Sequence, residues 1–228
     1  VLFFQPEEET GQGAAKVLKD PFFDETNISF VFALHNLPGF PLGRVVSTKR
    51  VFASASKGLV VDLVGRTSHA AEPHRGNSPT DTFATLIQGL SAIPQHRTAL
   101  GEAAKVTVVH AKLGELAFGT SPGYATVAAT LRTHSTSTMK RLEEHCEEYA
   151  RAIAKAHGLK CELSVEQEFP VTENNKEAAG MVEQAANSLG FSLETLAEPF
   201  PWSEDFGHFT KRFRGAMFGL GSGESCPA

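Results

Sequence analysis

Apolar residues recur with two different periods in the middle of the chain. Leu59, Val61 and Leu63 alternate with the residues between them, and a period of two predicts a strand. Elsewhere the apolar residues are three or four positions apart, which predicts helices. The elements predicted in this way are strands over 59–64, 106–110, 127–131 and 161–166 and helices over 83–93 and 139–153. Their order is typical of a ferredoxin-like (βαββαβ) domain, which we place at 54–168.

The sequence on either side of this domain has the pattern of an α/β domain. The apolar run Val1–Phe4 predicts the last half of a buried strand, and the run Ile28–Leu34 predicts a strand that ends at His35. Downstream, a helix is predicted over 174–189 and a strand over 214–220. We therefore expect one α/β domain, formed by 1–53 and 169–228, that the ferredoxin-like domain interrupts.

Composition and charge exclude several classes of function. The chain has 228 residues and a net charge of −5, which gives no electrostatic basis for binding nucleic acid or an anionic membrane. No apolar run approaches the roughly 18 residues that span a bilayer. The three cysteines form no CxxC pair, which argues against a disulfide framework and a thiolate metal site. Cys146 and Cys161 fall on apolar faces and are predicted to be reduced core residues, which favours a cytoplasmic location.

Two features of the outer segments could carry chemistry. Glu7, Glu8 and Glu9 are adjacent carboxylates that repel one another unless solvent or a cation neutralises them. Adjacent side chains point in different directions, so one carboxylate can bind a cation while its neighbour faces water. A solvated acidic loop is the alternative. His35, at the end of an apolar strand, is either a ligand or a structural histidine.

Two further segments are candidates. His69 lies in a loop of small residues after the first strand of the inserted domain, where it could donate a hydrogen bond to a substrate. Glu204 and Asp205 form a pair of carboxylates that could bind a cation or orient its ligands. The equally weighted alternative for this pair is the cap at the start of a surface helix.

Taken together, four segments resemble the dinuclear-metal amidohydrolases in both order and spacing. This family contains aminoacylases, hippurate hydrolase, auxin-conjugate amidohydrolases and the carboxypeptidase G type peptidases. The matching segments are Phe4–Glu9, Ala33–Pro38, Gly65–His74 and Ser203–Phe206. The resemblance implies a metal-binding α/β domain, here only partial, with an inserted ferredoxin-like lid through which such proteins commonly form homodimers.

The resemblance also implies a role for each matched residue. Glu8 would be the general base and Glu9 a metal ligand, and His35 matches the imidazole ligand of the family. His69 matches a lid histidine that stabilises the oxyanion, often from the partner subunit. Arg132 is a candidate for binding a substrate carboxylate, with a plain surface-strand arginine as the alternative. Two divalent cations are implied, zinc first, with manganese, cobalt or nickel as alternatives.

The sequence also departs from the family. The lid loop Ala117–Gly123 has no asparagine where the family usually has one, so Thr120 or Ser121 would have to replace that contact. Metal-ligand motifs that the family carries upstream of Phe4 and just after a segment like Gly219–Glu224 are absent from the 228 residues. Glu9 and His35 are then two of about five expected ligands, too few for a zinc site.

We therefore expect the chain to be an inactive fragment of a metal-dependent amidohydrolase. Its substrates would be N-acyl amino acids or small peptide-like amides. A non-catalytic binding or dimerisation module built on residues 54–168 is the alternative, and a deacylase of another amide, such as a modified sugar, is a third possibility.

Overall fold

A computed structural model describes residues 1–223 of the chain, so Glu224 of the segment singled out above lies outside the described residues. The chain folds as two compact units. The first consists of Val1–Ser56 and the residues from Glu168 onward, and the second of Lys57–Gln167. We call them the α/β unit and the inserted unit.

Regular secondary structure alternates between strands and helices through both units. Among the described residues the α-helices are α1 (Gly13–Val17), α2 (Phe22–Glu25), α3 (Thr80–Arg97), α4 (Thr136–Ala156), α5 (Lys176–Ser188) and α6 (Gly207–Arg212). The strands are β1 (Val31–Leu37), β2 (Val45–Thr48), β3 (Val51–Ala53), β4 (Ala55–Val64), β5 (Ser68–His69), β6 (Ala104–Leu113), β7 (Thr120–Ser121), β8 (Tyr124–Thr133), β9 (Lys160–Phe169), β10 (Thr172–Glu173), β11 (Leu193–Leu196) and β12 (Gly215–Gly221). Short 3₁₀ turns occur at Glu8–Thr10 and Pro73–Arg75.

The α/β unit is built on a four-stranded sheet in the order β1-β12-β2-β11. β1 runs parallel to β12, and β11 runs parallel to β2, while β12 and β2 are antiparallel. Small side chains of α5 pack on one face of the sheet beside Val45 and Ala216. The largest side chains of a second core cluster are Phe23, Phe52, Phe206, Phe209 and Met217. Full burial of each such side chain stabilises the fold by about 1.5–3 kcal/mol.

The inserted unit is built on a second four-stranded sheet, in the order β6-β8-β4-β9. Its main elements follow one another as strand, helix, strand, strand, helix, strand. α3 and α4 pack against each other and against β8. Leu63, Leu90, Leu131 and Leu142 are fully buried in this unit, as the periodicity of the sequence predicts. Gly158 follows α4 with φ 64°, the left-handed conformation that commonly ends a helix.

Most sequence predictions of elements are confirmed, and one is wrong. The mixed α/β fold, the long helices and the strands around 59–64, 106–110, 127–131 and 161–166 are present. The predicted buried strand at Val1–Phe4 is not: the segment has no regular structure, and the side chains of Val1, Leu2 and Phe4 are largely exposed. Phe3 alone packs, against Phe22 and Phe23. Four apolar residues do not specify a strand by themselves, because a strand also needs a backbone partner.

Cys146 is buried and Cys161 is half-buried, and both are free thiols. Of the helices in residues 1–223, none combines the length and the apolar character needed to cross a membrane.

Candidate functional site

The three consecutive glutamates lie in a tightly turned segment of the α/β unit. Glu7 has φ 56°, a left-handed conformation that is uncommon for a residue with a Cβ, and Glu8–Thr10 form a 3₁₀ turn. Gly11 ends this turn with φ 70°, which glycine adopts without strain. The backbone N–H and the hydroxyl of Thr10 both donate to the carbonyl of Glu7, at 3.3 and 3.0 Å. Glu7 contacts Lys16 and Glu8 contacts Glu204, so these two successive carboxylates point in different directions.

The Glu8 carboxyl is placed among other acidic groups. Burial, followed by the negative charges of Glu204, Asp205 and Glu9, raises the pKa of Glu8 to about 7. A hydrogen bond between the carboxyl groups of Glu8 and Glu204 acts in the same direction. A carboxyl group that exchanges its proton near neutral pH is suited to general acid–base chemistry. Glu9 lies beside this group but is exposed to solvent.

His35 lies within β1, and both of its ring nitrogens face acceptors. Nε2 is 3.1 Å from the Oε1 atom of Glu204, and Nδ1 is 2.6 Å from the carbonyl oxygen of Asn36. The hydrogen bond to Glu204 raises the pKa of His35 above its usual value, and burial opposes that rise. The indole of Trp202 stacks on the imidazole, with 4.8 Å between ring centroids. These contacts fix the orientation of the His35 ring.

Glu204 and Asp205 belong to this cluster and do not cap a helix. Glu204 is 8% exposed and Asp205 1% exposed. The following helix, α6, begins at Gly207, and its N-cap residue, Phe206, makes no side-chain cap hydrogen bond. The interpretation of the pair as a surface helix cap is therefore wrong. Asp205 instead accepts hydrogen bonds from the N–H of Ala14, at 2.8 Å, and from the amide of Gln5. Burial raises the pKa of Asp205, and these two hydrogen bonds oppose the rise.

Glu204 is the residue of this cluster whose surroundings the sequence did not resolve. Its contact with His35 joins two residues that are far apart in the chain. The sequence offers one signal, a pair of adjacent carboxylates between the aromatic residues Trp202 and Phe206. Charged side chains in an apolar setting are seldom buried without a partner, so this pair indicates a partner elsewhere in the chain.

The other two predicted site residues lie in the inserted unit. His69 is exposed on β5, where its Nδ1 accepts a hydrogen bond from the N–H of Ala71 at 3.1 Å. β5 pairs with β7, so that His69 is opposite Thr120. Thr120 is one of the residues proposed above to replace the missing asparagine. Arg132 lies half-buried on β8, opposite Lys105 of β6. The α/β unit thus brings together Glu8, Glu9 and His35, whereas His69 and Arg132 belong to the inserted unit.

The chemistry of the acidic cluster fits a divalent cation, but the number of donors is low. Carboxylate oxygens and imidazole nitrogen are donors that zinc and manganese accept, and a cation would relieve the repulsion between the carboxylates. Within residues 1–223, however, no three His, Cys, Asp or Glu side chains are arranged to hold one ion. Both nitrogens of His35 are also occupied by protein acceptors. The described residues by themselves therefore do not form a complete cation site.

Comparison with known proteins places the whole chain in one group. The model of Peptidase family M20/M25/M40 matches residues 1–228. The hippurate hydrolase of Campylobacter jejuni is 28% identical over 210 residues, which are 91% of this chain and 55% of that protein. The N-acetyldiaminopimelate deacetylase of Bacillus pumilus is 25% identical over 225 residues, which are 97% of this chain and 58% of that protein. The chain thus spans little more than half the length of these relatives.

Two solved structures have a similar fold. A Bacillus subtilis protein described as a dinuclear metal binding peptidase from the M20 family superposes with a TM-score of 0.76 at 23% identity, covering 96% of this chain and 54% of that one. The aminobenzoyl-glutamate utilization protein of Klebsiella pneumoniae has a TM-score of 0.77 at 22% identity and covers 96% of this chain and 56% of that one. At these identities the likeness concerns the fold.

Proposed function

The chain belongs to Peptidase family M20/M25/M40, and on this basis we propose that it is part of a metal-dependent hydrolase that cleaves the amide bond of N-acyl amino acids or small peptide-like amides. The observation that carries the proposal is the convergence of Glu8, Glu204 and His35 in the α/β unit. The names of the relatives from Campylobacter and Bacillus pumilus support the substrate class, because hippurate and N-acetyldiaminopimelate are both N-acylated amino acids.

In this proposal Glu8, Glu9, His35 and Glu204 each have a distinct role. Glu9 and His35 would be cation ligands, and Glu204 would hold the His35 ring in place through its 3.1 Å contact with Nε2. For His35 to bind a cation through Nδ1, that nitrogen would have to leave the carbonyl oxygen of Asn36. Two divalent cations, with zinc as the first choice and manganese, cobalt or nickel as alternatives, would polarise the amide carbonyl and acidify the attacking water. Glu8 would accept the proton of that water on its carboxylate and then deliver it to the departing amine nitrogen. The remaining ligands would come from outside residues 1–223.

We further propose that the inserted unit is a ferredoxin-like lid and dimerisation domain, and that residues 1–53 with 169–228 form the metal-binding domain. The sheet order β6-β8-β4-β9, with two helices, supports this assignment. His69 would donate a hydrogen bond to the oxyanion, and Arg132 would bind the substrate carboxylate. A homodimer formed through the inserted unit and a cytoplasmic location complete the proposal.

A substrate panel tests the function. Hippurate, N-acetyl amino acids, short peptides and N-acetylglucosamine would be assayed with the protein encoded by the complete reading frame, before and after removal of metal by a chelator. The proposal expects hydrolysis of N-acyl amino acids that is lost with the metal and restored by zinc or manganese. Hydrolysis of the sugar amide alone would overturn the substrate class, and hydrolysis unaffected by the chelator would overturn the metal dependence.

One observation favours a second candidate, a non-catalytic binding or dimerisation module built on the inserted unit. The described residues hold no group of three metal-binding side chains. Equilibrium dialysis of the 228-residue chain with zinc separates the hydrolase from the binding module. If the chain is part of a hydrolase, it should bind zinc weakly, and the double substitution Glu9→Ala with His35→Ala should abolish that binding. If zinc binding is undetectable and the chain still forms a stable dimer, the module is favoured.

A further inference from the structure

The residues that carry Glu8 and Glu9 form a loop that is closed at its base. A Cβ atom on Gly13 would lie 1.8 Å from the carbonyl oxygen of Pro6, so these two residues are in direct backbone contact. Only glycine allows so close an approach. We call residues 6–13 the Glu loop and the contact between Pro6 and Gly13 its neck.

One carboxylate joins the two chain segments that meet at the neck. Gln5 and Ala14 flank the Glu loop, one residue outside it on each side. The N–H of Ala14 donates to Oδ2 of Asp205 at 2.8 Å, and the side-chain amide of Gln5 donates to Oδ1 of the same residue. Asp205 is 1% exposed, so that water does not compete for these hydrogen bonds. Hydrogen bonds to an ionised acceptor are roughly twice as strong as those between neutral groups.

Beyond its neck, the Glu loop is held at Gly11, which is buried in close contact with Glu168 and Phe169. Glu7 also pairs with Lys16, and Glu8 forms a hydrogen bond with Glu204. None of the residues in its 3₁₀ turn, Glu8–Thr10, is buried. Glu7, just before the turn, has φ 56°, a conformation that persists in a residue with a Cβ only where the surroundings enforce it. The loop's own hydrogen bonds, from Thr10 to the carbonyl of Glu7, shape the turn but do not attach it to the core. The neck is therefore the point at which both ends of the loop are held together, by one residue.

We infer that Asp205 is a positioning residue that clamps the neck of the Glu loop and so fixes the carboxyl groups of Glu8 and Glu9. It acts through the backbone of Ala14 and the amide of Gln5, and not by contact with substrate or cation. The inference rests on the proposed function only for the roles of Glu8 and Glu9. The clamp itself is a property of the 228-residue chain and is measurable without substrate or metal.

The test compares two substitutions of Asp205 by hydrogen exchange. Asp205→Ala removes both acceptors. In Asp205→Asn the Oδ1 atom still accepts from Ala14, and the Gln5 amide turns so that its oxygen accepts from the new NH₂ group. Exchange in a peptide covering residues 5–16 is expected to be about tenfold or more faster in Asp205→Ala, because hydrogen bonds to a charged group are lost. In Asp205→Asn, exchange is expected to lie between those of the parent chain and Asp205→Ala, because neutral hydrogen bonds replace the charge-assisted ones.

A matched control and a milder variant complete the experiment. Asp24→Ala removes an exposed aspartate of the same unit, which pairs with Arg212, and should leave residues 5–16 unchanged. Exchange in β12 monitors the fold in every variant. If Asp205→Ala does not fold, Gln5→Ala removes one of the two hydrogen bonds and should speed exchange in the Glu loop severalfold.

Two results would overturn the inference. The first is unchanged exchange in folded Asp205→Ala. The second is equally fast exchange in Asp205→Ala and Asp205→Asn, because the loop would then be held by the charge of Asp205 and not by its hydrogen bonds. Failure of the proposed function is seen separately, in the substrate panel, because that assay leaves Asp205 intact.

Discussion

At the scale of single residues, the surroundings of Glu8 combine partial burial with three acidic neighbours. Both effects disfavour its ionised form and raise its pKa to about 7, so that Glu8 can take up and release a proton near neutral pH. Glu7, the preceding residue, is exposed and forms an ion pair with Lys16. The two glutamates therefore differ in surroundings although they are adjacent in the chain.

This difference predicts unequal effects of removing each charge. In the protein from the complete reading frame, Glu8→Gln should lower kcat for an N-acyl amino acid by about a thousandfold, since general acid–base catalysis contributes on that order. Its metal content, measured by elemental analysis, should not change, because Glu9 and His35 remain. Glu7→Gln is the matched control and should leave kcat unchanged. A fully active Glu8→Gln variant would show that another residue is the base.

The cysteines provide a second prediction at this scale. Burial raises the pKa of the Cys146 thiol to about 12, so that roughly one thiol in ten thousand is ionised at pH 8. Cys161 is only half-buried, although burial raises its pKa as well. Iodoacetamide at pH 8 should therefore label Cys161 much faster than Cys146 in the folded chain, as peptide mass mapping would detect. The unfolded chain should lose this difference; equal labelling of the folded chain would contradict the buried position of Cys146.

The sequence alone indicates which residues are candidates, but it does not indicate what these residues contact. Glu8, Glu9 and His35 are candidates because adjacent carboxylates and a histidine after an apolar run can be recognised within a few positions, and the family resemblance implies their roles. The hydrogen bond from His35 to Glu204 could not be predicted in this way, since it depends on how distant segments pack. The same holds for the contacts of Asp205 with Gln5 and Ala14.

At the scale of elements, long helices were predictable and short strands were not. α3, α4 and α5 extend over enough residues for the helical period to be clear. β2 and β11 have only four residues each and form a parallel pair in which Val45 is opposite Leu193. No pattern within four residues indicates a partner strand so far away in the sequence. Strands of this kind are therefore determined by tertiary structure.

The start of α5 gives a prediction for one helix cap. The side-chain oxygen of Asn175 accepts hydrogen bonds from the N–H groups of Glu177 and Ala178, at 3.0 and 3.2 Å. Asn175→Ala should lower the free energy of unfolding in urea by about 1 kcal/mol, because these N–H groups lose their acceptor. Asn187→Ala, an exposed position near the end of the same helix, is the control and should be neutral or slightly stabilising. Equal effects of the two substitutions would argue against the cap.

At the scale of the whole molecule, the α/β unit has an apolar groove beside the outermost strand of its sheet. β1 is the first strand in the order β1-β12-β2-β11, and α5 packs against β12 and β11. The groove has a volume of about 530 Å³, and its walls are almost entirely apolar. Phe32 and Leu34 of β1 form one wall, and Met181 of α5 and Leu189, the residue after α5, contribute to another. An exposed apolar surface of this kind often serves as a binding site.

An apolar groove of this size should bind the fluorescent probe anilinonaphthalene sulfonate in the native state. Leu34, in one wall, is 54% exposed, so Leu34→Lys should leave the core intact while placing a charge in the groove. Probe fluorescence and any concentration-dependent association, measured by sedimentation, should both fall severalfold. Leu116 is an isolated leucine of the inserted unit and is 92% exposed, so Leu116→Lys is the control and should change neither quantity. If Leu34→Lys folds normally and binds the probe as well as the parent chain, the groove is not the binding surface. A loss of binding in both variants would point to an effect of net charge, because only one of the two leucines lies in the groove.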